Sequence, residues 1–151
     1  MTEQLPTTAE LPNLDAVDRL GSAIAQKLKV GDVVALSGTL GAGKTTLARA
    51  ILRHLGHEGD VPSPSFTILE VYEPPSVRLP LVHADFYRLD DPSEADQLGL
   101  EEYRADAAMI AEWPENVGGF AHDERCLQID LSLVGERRIA KIEPGKDWLK
   151  R

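Results

Sequence analysis

The run Gly38-Thr39-Leu40-Gly41-Ala42-Gly43-Lys44-Thr45 matches the pattern G-x-x-x-x-G-K-[ST] at every fixed position. Four fixed positions recur by chance in roughly one chain of this length in 200, and the flanks make chance a poorer explanation still. Directly before the run lies Val33-Val34-Ala35-Leu36-Ser37, a continuous apolar stretch suited to a strand buried on both faces. Directly after it, Leu47, Ile51 and Leu55 fall on one face of a helix that Gly56 would stop. Strand, glycine-rich loop and helix together restrict the chain to α/β architectures. The glycines let successive N–H groups converge on phosphate oxygens, and the helix adds the positive end of its dipole. Lys44 would reach the β- and γ-phosphates, and the Thr45 hydroxyl would ligate Mg²⁺.

Such a site also needs a carboxylate at the C-terminal end of a neighbouring strand. Two fit: Asp85 closes "LPLVHAD" and Glu112 closes "AAMIAE". The residues alone do not rank them. Trp113 follows Glu112 and would wall a nucleotide pocket. Asp85-Phe86-Tyr87-Arg88 brings an acid, two aromatic rings and a guanidinium to one strand end. His83 is read as a packed strand residue, and no metal site is expected at His54 and His57, because Gly56 breaks the helix between them.

The remaining elements follow from periodicity and punctuation. Residues 1–12, with Pro6 and Pro12, read as a loosely held arm. Asn13 would cap a helix carrying Leu14, Val17, Leu20, Ile24 and Leu28 on one face. Strands are expected at 66–73, 79–85 and 107–112, a turn-rich loop at 57–65, and a short helix from Asp91 to near Gly99. Residues 126–133 and 137–143 read as a hairpin about Gly135, and the tail 146–151 as loosely ordered, with Trp148 able to dock it. The expected architecture is a single α/β domain over residues 1–151. It has a phosphate-loop NTPase-like sheet, partly parallel and flanked by helices, with late antiparallel strands.

Composition limits the partners. The chain has 151 residues, with 25 Asp and Glu against 16 Lys and Arg, a formal net charge of -9. Gripping nucleic acid alone rests on cationic side chains, so any RNA contact would be mostly indirect. One cysteine, Cys126, excludes an internal disulfide and sits in an alternating strand pattern as a packed thiol. The first residues show no leader pattern and no apolar run reaches the ~20 residues of a membrane span, so a cytoplasmic protein is expected. The chain also lacks an N-K-x-D run for reading guanine, an L-S-G-G-Q run and an obvious lid segment.

"LSGTLGAGKTT", "SPSFTILEVYE", "HADFYRL" and "AEWPENVG", in this order, resemble the TsaE family over about Leu14 to Val134. The family comprises small bacterial ATPases needed for threonylcarbamoyladenosine modification of tRNA. The resemblance implies that Lys44 and Thr45 bind phosphate and Mg²⁺ and that Glu112 is the acidic metal partner. Thr46, Asp85 and Trp113 match further functional positions, and residues 63–67 match a switch-like loop. It also implies TsaD- and TsaB-like partner proteins and an ATPase that is weak alone. Thr39 departs from the family's usual Asp, which leaves nucleotide binding intact but not any special role of that Asp.

The expected nucleotide-binding set is therefore Thr39, Leu40, Gly41, Ala42, Gly43, Lys44, Thr45, Thr46 and Trp113. Lys44, Asp85 and Glu112 carry the chemistry, and Thr45 and Glu112 the metal. The expected function is a slow Mg·ATP hydrolysis coupled to a partner complex. The alternatives are a small-molecule kinase with Asp85 as base and a nucleotide-dependent switch.

Overall fold

Val33, Val34, Ala35 and Leu36 are completely buried, because their strand has neighbours on both edges and layers on both faces. In the computed structural model, residues 5–39, 41–62, 69–89, 91, 93–94 and 98–151 are described. Seven strands form one sheet: β1 (Thr8–Glu10), β2 (Val33–Ser37), β3 (Leu69–Tyr72), β4 (Leu81–Asp85), β5 (Ala108–Glu112), β6 (Cys126–Val134) and β7 (Arg137–Pro144). Their order is β1-β7-β6-β2-β5-β4-β3. β2 runs parallel to β5 and β6, and β4 parallel to β5. The pairs β3–β4, β6–β7 and β1–β7 are antiparallel. The partly parallel α/β sheet with late antiparallel strands is the architecture the sequence implies.

Alternation along β2 divides the core. Val34 and Leu36 face α1 (Leu14–Lys27) and α2 (Lys44–His54), while Val33 and Ala35 face the opposite side. That second side is covered by Leu100 of α3 (Leu100–Asp106), by Leu98 and by the 113–120 segment. α1 begins where expected: Asn13 Oδ1 accepts from Ala16 N at 2.9 Å. Among the described residues no helix is long and apolar enough to cross a membrane.

Two expectations differ from the structure, the loose arm and the loose tail. Residues 8–10 are not a loose arm: they add a short edge strand to β7, with Leu11 buried behind them and Glu10 bonded twice to Arg137 at 2.9 and 3.0 Å. The tail is docked. Trp148 is buried and donates to the Arg125 carbonyl at 2.8 Å, and Arg151 bonds both oxygens of Asp32 at 2.5 and 2.8 Å. Asp32 is fully buried, so this guanidinium fork neutralises a charge that would otherwise be costly there. Gly99 ends the preceding helical residues as expected, Glu94 and Leu98 being helical, and its left-handed backbone also starts α3, which the sequence did not indicate. The helix expected from Asp91 lies partly outside the described residues, but Asp91 Oδ1 does accept from Ser93 N at 2.9 Å. Of the strand expected at 66–73, residues 66–68 lie outside the described residues, and 69–72 form β3.

α1 and α2 cross at Gly21. A Cβ there would lie 2.6 Å from Ala50 Cβ and 2.9 Å from Ala50 C, so the close approach requires glycine. Gly21→Ala gains about 1 kcal/mol of helix propensity, but the overlap costs about 1–3 kcal/mol. The urea midpoint of Gly21→Ala should therefore fall, and a raised midpoint would show that the helices separate freely.

Cys126 starts β6 with 3% of its surface exposed, and burial pushes its thiol up to about 12. The thiolate is the reactive form, so an aromatic disulfide reagent at pH 8 should label no thiol in the folded protein and one per chain in denaturant. Rapid labelling of the native protein would contradict this burial.

Candidate active site

Parallel pairing brings the ends of β2, β4 and β5 to one edge of the sheet. Asp85 and Glu112 are register partners, and Glu112 is also level with Leu36 of β2. The phosphate loop leaves the sheet from this edge. Gly38 turns at φ +141°, where a side chain would collide with the Leu131 carbonyl. The loop closes through Ala42 N donating to Thr39 O at 3.1 Å, and Gly43, at φ +105°, delivers the chain into α2. The first turn of α2 has neither a side-chain cap nor an acidic residue. Its amides and the positive dipole end are therefore left for an anion.

A cavity of about 250 Å³ lies over this turn, lined by Gly41, Gly43, Lys44, Thr45 and Thr46 from the loop and helix. Asp85, Tyr87, Glu112, Trp113 and Arg138 complete the wall. Asp85, 6% exposed, accepts from Tyr87 N at 2.9 Å. Glu112, 2% exposed, accepts from the Thr45 hydroxyl at 2.7 Å through Oε1. Its other oxygen, Oε2, is 2.6 Å from Nε2 of His83, which is fully buried. The carboxylate can only accept, so Nε2 carries the proton. Both acids thus reach the cavity, and it is Glu112 that touches Thr45.

Lys44 Nζ donates to the carbonyls of Gly38 at 2.6 Å and Thr39 at 2.9 Å. It also lies 4.4 Å from the centre of the Trp113 ring, within cation–π range. Burial holds the Lys44 ammonium below its ordinary value, against the raising influence of Glu112, Glu115 and Asp85. Trp113 has φ +58° and ψ +50°, a left-handed conformation rare for a bulky side chain. That backbone costs on the order of 1–3 kcal/mol, and it places the indole beside Lys44 and 5.0 Å from the Tyr87 ring.

Of the expected residues, Thr39 contributes its carbonyl to the loop, and Ala42 is buried beneath the loop rather than lining the cavity. Leu40 and residues 63–67 lie outside the described residues. His83 is packed, as its strand position implies, and also holds Glu112. Arg138 went unread in the sequence. A cue was present, since Arg138 shares its strand face with buried Ala140 and Ile142, where an apolar residue is the norm.

The donor set suits a hard cation. Thr45 and Glu112 offer two oxygens, and among the described residues no group of three His, Cys, Asp or Glu could hold a metal by itself. That fits Mg²⁺, which keeps waters and substrate phosphates among its ligands, better than a cation needing an all-protein cage.

A family model described as "Threonylcarbamoyl adenosine biosynthesis protein TsaE" matches residues 11–139. Curated proteins named "tRNA threonylcarbamoyladenosine biosynthesis protein TsaE" are similar along most of their length. The Streptomyces coelicolor protein is 42% identical over 136 residues, covering 85% of this chain and 91% of that protein. The Mycobacterium bovis protein is 41% identical over 148 residues, covering 92% and 88%. The Haemophilus influenzae protein is 36% identical over 150 residues, covering 93% of each. The crystal structure of Bacillus subtilis YdiB superposes with a TM-score of 0.78 at 29% identity, covering 99% of this chain and 92% of that one.

The buried His83–Glu112 contact gives a stability test. His83→Ala leaves a buried carboxylate oxygen without its donor, which costs about 1–3 kcal/mol. Urea unfolding should show that loss, and a change below about 0.5 kcal/mol, the range of ordinary surface substitutions, would mean that the contact contributes nothing.

Proposed function

The chain belongs to the TsaE family, and from that membership and the geometry around Lys44 we propose that it binds Mg·ATP and hydrolyses it slowly. It acts in threonylcarbamoyladenosine modification of tRNA as an accessory ATPase coupled to TsaD- and TsaB-like proteins. The observation that carries the nucleotide reading is the hydrogen bond from the Thr45 hydroxyl to Glu112, beside Lys44 and the uncapped turn of α2. A kinase or a pure switch shares the loop, but the family membership favours the coupled ATPase.

The loop amides and Lys44 bind the phosphates in line. In doing so the Lys44 ammonium exchanges the Gly38 and Thr39 carbonyls for phosphate oxygens, which are better acceptors for a cation. Thr45 and Glu112 would hold Mg²⁺, which neutralises charge on the β- and γ-oxygens. His83 keeps the Glu112 carboxylate oriented from below. Asp85, one of whose oxygens accepts from Tyr87 N, or a group from residues 63–67 would orient the attacking water. Trp113 and Tyr87 form an aromatic wall that limits water beside Lys44.

A cytoplasmic protein with a net charge of -9 meets tRNA chiefly through its partners. Those partners supply the surface that the nucleotide cycle acts on.

Lys44→Ala should abolish phosphate release while far-UV circular dichroism stays unchanged. The measurement is made alone, with candidate acceptor metabolites, and with the purified partner proteins. Stimulation by partners without a phosphorylated product supports the reading. Hydrolysis retained in Lys44→Ala, or phosphoryl transfer to an acceptor, would overturn it.

A further inference from the structure

Arg138 stands at the start of β7, on the far side of the phosphate loop from Glu112. β7 and β6 lie to one side of β2, and β5 and β4 to the other. The cavity therefore has two ends. Glu112 and Asp85 hold one, and Arg138 flanks Gly41 and Gly43 at the other. Its guanidinium is packed so closely that a Cβ on Gly43 would lie 3.2 Å from Nε and 3.5 Å from Cζ.

The placement is electrically unfavourable as it stands. A cation beside a helix N-terminus meets the positive end of the dipole. The chain carries 25 acidic residues, yet among the described residues none pairs with Arg138 at ion-pair distance. Its Nη2 reaches only the Gly41 carbonyl, at 3.4 Å, and its buried Nε has no hydrogen-bond partner. Arg137, one residue earlier on the other face, shows the contrast: it is exposed and bonds both oxygens of Glu10. A guanidinium with a buried, unpartnered Nε, packed beside the uncapped start of α2, belongs with an anion.

We infer that Arg138 binds the α-phosphate of the nucleotide, at the end of the cavity away from the metal. The inference rests on the nucleotide reading of the same site. Thr45 and Glu112 mark the β,γ end, because they would hold the Mg²⁺ that neutralises charge on the β- and γ-phosphates. Arg138 then faces the part that ATP and ADP share. It is a binding residue common to both nucleotides, and it does not stabilise charge developing on the transferred phosphoryl group.

The test measures ADP and ATP binding with Mg²⁺ by calorimetry, and steady-state hydrolysis, for the wild type and for Arg138→Ala, Arg138→Lys and Arg137→Ala. Arg138→Ala should weaken ADP and ATP by the same factor, about 10- to 100-fold for one charge-assisted contact. KM should rise in step while kcat at saturation holds. Arg138→Lys should recover part of the affinity, and Arg137→Ala should bind like the wild type. Arg138→Lys and a circular dichroism spectrum guard against a folding defect in the alanine variant. Unchanged ADP binding in both Arg138 variants, or a loss confined to ATP or to kcat, overturns the inference and leaves the nucleotide reading standing. A wild-type protein that binds neither nucleotide overturns both.

Discussion

The site exists because β2 is hydrogen-bonded to parallel strands on both edges. That pairing requires a run buried on both faces, which Val33 to Leu36 provide, and it brings strand ends to a common level. The phosphate loop, Asp85 and Glu112 are then neighbours by construction, although they are far apart along the chain. Neither helix packing nor the docked tail could align these groups if β2 slipped by one residue. Such a slip would exchange the faces of Val34 and Leu36 with those of Val33 and Ala35 and move Glu112 away from Thr45.

Above this frame, the polar contacts are layered. Thr45 meets Glu112, and His83 supports Glu112 from within the core. Lys44 sits between backbone carbonyls and an indole held by an uncommon backbone conformation. Strain at Trp113 is tolerated because the surrounding strands and the short helical turn at Pro114–Val117 fix both sides of it. The same segment returns Asn116 to the Phe86 carbonyl at 2.9 Å, tying the ends of β4 and β5 together.

What the sequence revealed and what it concealed divide along physical lines. The phosphate loop is legible because its glycines, Lys44 and Thr45 are each demanded by local geometry. β2, α1 and α2 are legible because they bury whole faces. α3 was missed because none of its residues is buried, so no apolar period marks it. β1 was missed because its three residues owe their form to β7, more than 120 positions away in the chain. The tail's order likewise depends on a bond between Arg151 and Asp32, separated by 119 positions. Residue pattern alone nominated the two strand-end acids without ranking them, because only the fold puts the Thr45 hydroxyl against Glu112; the family resemblance did rank them. Arg138 is the instructive miss: its charge suggested a surface residue, while its phase along β7 pointed inward.

The division of labour within the Glu112 carboxylate has a consequence for ion choice. With Oε2 held by the imidazole, this side chain has one oxygen, Oε1, to offer, and toward the Mg²⁺ proposed for the site it would act through that single oxygen. Calcium sites favour carboxylates that chelate through both oxygens and crowd the ion with many ligands, whereas magnesium favours single, well-directed oxygens. On the proposed function, the buried histidine would therefore bias the site toward the smaller ion without itself touching it.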